Sequence, residues 1–209
     1  LHLCDRRQRQ MCIETGAVHT NVTGTVSTGT LNVGDGISSE GATGVNNDLG
    51  VKDLDFSSTS GTVDASVIIS NDTGLTLVGD GSSELLKGTG SNNTVTVGST
   101  SDSAGTLTLG NAAAESSGGT LNANVTLQSD SQMNVEAGSF TVDKITATEG
   151  TVAVNAGADL TTTQDFTVGD AINNKTGTID AAGSITAGKV DLQQGTAVSY
   201  THLTLPTIA

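Results

Sequence analysis

Residues 138–154 read GSFTVDKITATEGTVAV, two phrases in which glycine and a hydroxyl residue lead into alternating apolar and polar positions. Phe140 and Val142, then Val152 and Val154, fall two residues apart, which is the period of a strand with one buried face. The same phrase recurs as Gly29-Thr30-Leu31-Asn32-Val33, Gly61-Thr62-Val63-Asp64-Ala65, Gly105-Thr106-Leu107-Thr108-Leu109 and Gly177-Thr178-Ile179-Asp180-Ala181. Glycine, asparagine and aspartate between the phrases supply the positive-φ positions that tight turns require. No apolar stripe at helical spacing runs beyond a turn or two. Residues 16–197 read as all-β.

A longer interval is laid over the short one. Leu121, Phe140, Leu160 and Ile179 are separated by 19, 20 and 19 residues. Val125, Ile145, Phe166 and Ile185 follow at 20, 21 and 19, and Met133, Val152, Ile172 and Leu192 at 19, 20 and 20. Upstream the interval survives in pieces, from Leu31 to Val51 and through Leu54, Leu75 and Val95. Three registers returning after about 20 residues predict a single-stranded parallel β-solenoid with three strand faces. Each strand then pairs with the coil above and the coil below, and Leu160 is expected inside between Phe140 and Ile179. An antiparallel sandwich or a disordered low-complexity chain is the alternative, but disorder would not hold apolar residues in three registers over four coils.

Composition agrees with a narrow interior. Only 2% of the 209 residues are aromatic, so a column of small aliphatic side chains must fill the core. A single proline, Pro206, leaves the ladders intact. No apolar run is long enough for a membrane-spanning helix. The formal net charge of −14 argues against nucleic acid and against an anionic membrane surface as partners.

The two ends differ from the middle. Every arginine (Arg6, Arg7, Arg9), both cysteines (Cys4, Cys12), Pro206 and Tyr200 lie within residues 1–15 or 198–209. Ser199-Tyr200-Thr201-His202-Leu203-Thr204-Leu205-Pro206-Thr207 can be encoded by TCTTATACACATCTGACGCTGCCGACG, and the reverse complement of that DNA encodes Arg-Arg-Gln-Arg-Gln-Met-Cys-Ile. Residues 6–13 have that order. The DNA resembles the transposon-end adapter used to prepare sequencing libraries. We therefore expect 1–15 and 198–209 to be adapter-derived, not native, and to pack in no regular way, with 16–197 a solenoid fragment of a longer gene. On that reading Cys4 and Cys12 carry no redox information. The middle holds 20 acidic residues against five lysines, a net charge near −15.

Gly74-Leu75-Thr76-Leu77, Leu85-Leu86-Lys87-Gly88-Thr89-Gly90, Gly105-Thr106-Leu107-Thr108-Leu109-Gly110-Asn111 and Gly118-Gly119-Thr120-Leu121-Asn122-Ala123 carry a family likeness. Across residues 20–197 these phrases resemble the strand repeats of bacterial autotransporter passenger domains and of filamentous haemagglutinin-like adhesins. The resemblance implies a right-handed β-helix, secreted or held at the bacterial cell surface, often followed by an outer-membrane barrel. It implies partners such as host glycans or extracellular matrix proteins. No barrel is expected in a segment whose only aromatics are three phenylalanines, and none of it is expected to insert into a membrane.

Catalytic constellations are sparse. His19 is the sole histidine outside the unusual ends, and no G-x-S-x-G nucleophile elbow accompanies it. Asp64, Asp143, Asp180 and Asp191 fall at outward or turn positions, where solvated charge is the plain reading. Polysaccharide-cleaving β-helices pair acidic metal ligands with a basic residue, usually arginine, and the middle has none. The recurrent Val33-Gly34-Asp35-Gly36 and Val78-Gly79-Asp80-Gly81, with Val168-Gly169-Asp170 as a shortened echo, make Asp35, Asp80 and Asp170 weak Ca²⁺ candidates. Turn chemistry is the competing reading, because the calcium-binding nonapeptide pattern is missing. Sequons at Asn21, Asn71, Asn92, Asn124 and Asn174 are expected by chance in so Asn- and Thr-rich a chain. We expect no enzyme, no cofactor and no catalytic residue. The alternatives are the scaffold of a β-helical polysaccharide-degrading enzyme and a repetitive surface-layer or matrix protein.

Overall fold

Alternation at period two sends every second side chain to one side of a strand, and a coil of such strands must close around those side chains. The computed structural model describes residues 20–21, 25–33, 54–55, 62–69, 73–77, 79, 84–86, 94–98, 104–112, 117–193 and 197–204. The described strands are β1 (Thr20–Asn21), β2 (Thr25–Val33), β3 (Leu54–Asp55), β4 (Thr62–Ile69), β5 (Thr73–Leu77), β6 (Glu84–Leu86), β7 (Thr94–Val97) and β8 (Gly105–Leu109). They continue as β9 (Gly118–Leu127), β10 (Ser131–Val135), β11 (Gly138–Ala147), β12 (Gly150–Val154), β13 (Ala158–Val168), β14 (Thr178–Leu192) and β15 (Ala197–Thr204). Every strand pairing is parallel, and no helix occurs among the described residues. The fold is a parallel β-solenoid.

Three ladders run along it, as the three registers predict. β9, β11 and β13 each serve two ladders, because a register shift near Val142 in β11 and between Thr162 and Asp165 in β13 bends each strand around a corner. β8, β10, β12 and the start of β14 form the third ladder. β9 with β10, β11 with β12, and β13 with the start of β14 make three successive coils, and the rest of β14 leads into β15 as a fourth.

The inward columns are dry. Val67, Val95, Val125, Ile145 and Phe166 stack rung upon rung, each 1% exposed or less. Leu75, Leu107, Met133, Val152 and Ile179 make a second column, and Leu77, Leu109, Val135, Val154 and Ala181 a third. Gly119, Phe140, Leu160 and Ile185 stack on the remaining ladder. Phe140 therefore lies over a rung that offers no side chain, a small-below-large arrangement that fits an aromatic into a narrow core.

Several sequence-based register assignments need correction. Phe140 does lie under Leu160, but the rung above Leu160 is Ile185, not Ile179. Leu121 pairs with Val142 and Phe166 with Val190. Val152 is followed by Ile179 rather than by Ile172, which is 94% exposed. The cause is local: residues 170–175 form a turn closed by an antiparallel bridge between Asp170 and Lys175, which lengthens that coil. Aspartate and asparagine in such a stretch favour side-chain-to-backbone bonds over a ladder. Leu192 is 48% exposed because, among the described strands, its rung is paired only on the β13 side. Upstream, Leu31 pairs with Val67, while Leu54 lies in β3 and Leu75 and Val95 lie on different ladders. The interval of about 20 holds between β9, β11 and β13, where Val125 meets Ile145 and Ile145 meets Phe166.

The C-terminal end brings a further correction. The expectation that 198–209 packs in no regular way fails for β15, which pairs with β14 from Ala197 against Thr178 to Thr204 against Thr186, with one register shift after Ala181. A coil edge is a row of unpaired N–H and C=O groups, and any strand able to extend can add to it, whatever its origin. Residues 1–15, like 205–209, lie outside the described residues.

Corners are set by glycine where side chains cannot go. Gly138 has φ +87°, and a Cβ there would be driven into the carbonyl oxygen of Ser117 on the coil below. Gly157 has φ +82° but open space where its Cβ would sit. Gly157→Ala should cost about 1 kcal/mol, the strain of a left-handed L-residue alone. Gly138→Ala should cost on the order of 3 kcal/mol, because overpacking against the coil below adds to that strain. Urea denaturation of the two variants distinguishes them; equal midpoints would mean that the Ser117 contact does not restrain this corner.

Candidate functional site

The outward residues of each ladder form columns as regular as the core. Thr120, Thr141, Thr161 and Thr186 stack on one face, and Thr96, Thr126, Thr146 and Thr167 on another, ending at Asp191. Thr106, Gln132, Thr151 and Thr178 line the third. Neighbouring rungs lie about 4.8 Å apart, so such columns support one another by roughly 0.2–1 kcal/mol per pair. β-Branched threonine suits this position because its methyl packs on the pleat while its hydroxyl faces water.

Acidic residues are interleaved with this array rather than stacked. Asp159 sits between Ser139 and Ser184, Asp165 below Lys189, Asp180 above Ala153, and Asp191 above Thr167. Among the paired strand residues no carboxylate lies in register with another. Like charges one rung apart would repel, and interleaving lets a strongly acidic chain stack at all. The hydroxyls partly satisfy these acids: Ser139 Oγ donates to Asp159 Oδ2 at 3.1 Å, and Thr163 Oγ1 to Asp143 Oδ1 at 3.3 Å.

Buried polar groups serve the frame. Ser131 is fully buried at the entry to β10, where its Oγ accepts the Gly105 N–H from the coil below at 3.0 Å. Thr162, 3% exposed in an otherwise apolar column with Val142 and Ala187, donates to the Gln164 carbonyl at 3.2 Å. Ser117 Oγ donates to the Ala137 carbonyl at 2.9 Å. Each bonds the backbone, which places them as fasteners of corners rather than as reactive groups.

The turn at residues 170–175 departs from the regular surface. Asp170 and Lys175 exchange both backbone bonds at 3.0 Å. Asp170 Oδ1 accepts the N–H groups of Ile172 (2.9 Å) and Asn173 (3.1 Å), and its Oδ2 accepts the Asn173 side-chain amide at 2.7 Å. Gln193 Oε1 accepts the Ala171 N–H at 3.0 Å, and Lys175 Nζ lies 2.6 Å from Glu149 Oε2 on the preceding coil. Asn174 takes φ +54°, a left-handed conformation that asparagine tolerates.

Of the three Ca²⁺ candidates only Asp170 lies among the described residues. Both Asp170 oxygens are engaged by donors of its own turn, while Asp35 and Asp80 lie outside the described residues, as does His19. Among the described residues, no group of three His, Cys, Asp or Glu side chains is placed to hold a metal ion. Spacing alone places Ile172 in the core. The Asp, Asn and Asn around it are the turn signal that should have outweighed the interval.

The same contacts give a pH dependence. The Asn173 side-chain amide and backbone N–H, opposed by desolvation and aided by the Ile172 N–H, hold the Asp170 carboxyl below its ordinary range. A lowered folded-state pKa means that the contribution is complete above the unfolded value near 4 and is lost as pH falls through the folded value. Amide protection at Ile172 and Asn173, relative to the intrinsic exchange rate at each pH, should therefore fall below pH ~4 before that of the coil amides. Asp170→Asn should remove that step. An acid response unchanged in Asp170→Asn would assign it to other groups.

Compared with known protein families, characterised proteins and solved structures, the chain matches none.

Proposed function

We propose that this solenoid is a display rod of the adhesin or autotransporter-passenger kind, secreted or held at a bacterial cell surface, which binds without catalysing. The observation that carries the proposal is the pairing of a close-packed, mostly aliphatic interior with outward columns rich in threonine and interleaved carboxylates. Such a surface offers repeated hydroxyl and carboxylate groups to sugars or protein loops over a long distance. The family likeness of the strand phrases points the same way. Catalysis needs a concave site with convergent polar groups of perturbed pKa. Among the described residues, the outward polar groups stand on separate ladders rather than converging.

Partners on this reading are host glycans or matrix proteins, held weakly per coil and more firmly by the intact rod. The charge near −15 repels acidic polysaccharides unless a divalent cation bridges them. The test incubates the purified chain with neutral and acidic polysaccharides, with and without Ca²⁺, and screens it against immobilised glycans and collagen. Binding without cleavage is the expected result. Reproducible cleavage abolished by one aspartate substitution would replace this reading with an enzyme.

A further inference from the structure

We infer that the 170–175 turn is a built recognition knob, which inserts Ile172 into an apolar socket rimmed by lysine or arginine on a second protein. This rests on the binding role proposed above and names the element that performs it. Ile69, Ile145, Ile179 and Ile185 are 3% exposed or less and Ile68 is half-buried, whereas Ile172 is 94% exposed. The only other large apolar side chain exposed among the described residues is Leu192, next in chain to Gln193, which holds the turn through Ala171. Among the described residues, the two large apolar side chains that stand exposed in solvent are therefore those at and beside this turn.

Rigidity sets this turn apart from an ordinary surface loop. The Asp170 carboxylate, the Asp170–Lys175 bridge, the Gln193 contact and the Lys175–Glu149 ion pair fix it on three sides. A partner gains the apolar contact without first ordering the loop, so little affinity is lost to conformational entropy. Charge selects the rim of the socket: Asp170, Glu149 and Asp191 surround the knob with Lys175 as the near cation, and the middle of the chain is strongly acidic. Sugars present few surfaces that reward an aliphatic side chain. An anionic bilayer would be repelled, and one isoleucine is too small an anchor for a neutral one. A basic-rimmed protein socket satisfies both features.

The test pans a random-peptide phage library against the full chain at physiological salt and measures affinities of the enriched peptides as synthetic probes. The expected peptides combine lysine or arginine with a cluster of aromatic or aliphatic residues. Burying one isoleucine side chain is worth about tenfold to a hundredfold in affinity. Ile172→Ser should weaken the peptides by that factor, Ile172→Leu should keep most of the binding, and Leu192→Ser should have a smaller effect. Thermal melting of Ile172→Ser should match the parent, since the side chain supports no packing. Enriched peptides that bind Ile172→Ser as tightly as the parent would overturn the knob while leaving the binding role in place. Failure to enrich any peptide family would likewise overturn the knob, while the glycan and collagen screen tests the binding role separately.

Discussion

Leu160→Asp should destabilise the chain by on the order of 3–5 kcal/mol, the range for a buried charge left without a partner. Leu160 is 1% exposed and stacks between Phe140 and Ile185, so nothing polar in its column can receive a carboxylate. Thr161→Asp is the matched control. Thr161 is one residue along the same strand, on the outward column between Thr141 and Thr186, and its substitution should stay within about 0.5 kcal/mol of neutral. The two variants also differ in pH dependence. Burial raises the folded-state pKa of an aspartate at 160, so its penalty should be smaller near pH 3 and grow as pH rises past the unfolded value near 4. Urea midpoints at pH 3 and pH 7 read both effects. Equal losses for the two variants at pH 7 would invert the inside-outside assignment.

Phe166→Ala should cost about 3–5 kcal/mol, since its ring is fully buried and the rungs on either side are fixed by backbone pairing and cannot close the void. The column arrangement makes this loss repairable from one neighbour only. Val190 lies in register above Phe166, whereas Ile185 lies above Leu160. Adding Val190→Phe to Phe166→Ala should recover part of the stability, and adding Ile185→Phe should recover none. A double-mutant cycle in urea gives the coupling, expected at about 1 kcal/mol or more for the first pair. Recovery through position 185 instead would restore the even 19-residue interval that the structure replaces.

That contrast shows where the sequence was legible. Strand class, three faces and the inward set follow from period two and from the return of Val125, Ile145 and Phe166, because each core position must be apolar and each rung must sit above another. The interval failed at Ile172, where the hydrogen-bonding capacity of Asp170 and Asn173 outweighs the pull of one isoleucine toward the core. It failed again at Leu121, whose rung partner Val142 is two residues beyond the Phe140 that equal spacing selects. Spacing counts residues, whereas corners consume them unevenly. At the candidate site, the outward threonine columns were readable as alternation. The knob was not, because its identity depends on which of two equally apolar isoleucines, 172 or 179, is left outside.

Uneven coils have a thermodynamic meaning. Closing the step from Met133 to Val152 spans 19 residues, the step from Val152 to Ile179 spans 27, and the step from Leu31 to Val67 spans 36. The entropy of loop closure rises only with the logarithm of length, so going from the shortest to the longest of these costs roughly 0.6 kcal/mol. One buried rung of two aliphatic side chains outweighs that several times over. Natural selection on such a rod therefore acts on the rungs and on the glycines that turn the corners, and only weakly on corner length. A corner can lengthen, acquire a new tip and be tried against a new partner while the ladders beneath it stay in register.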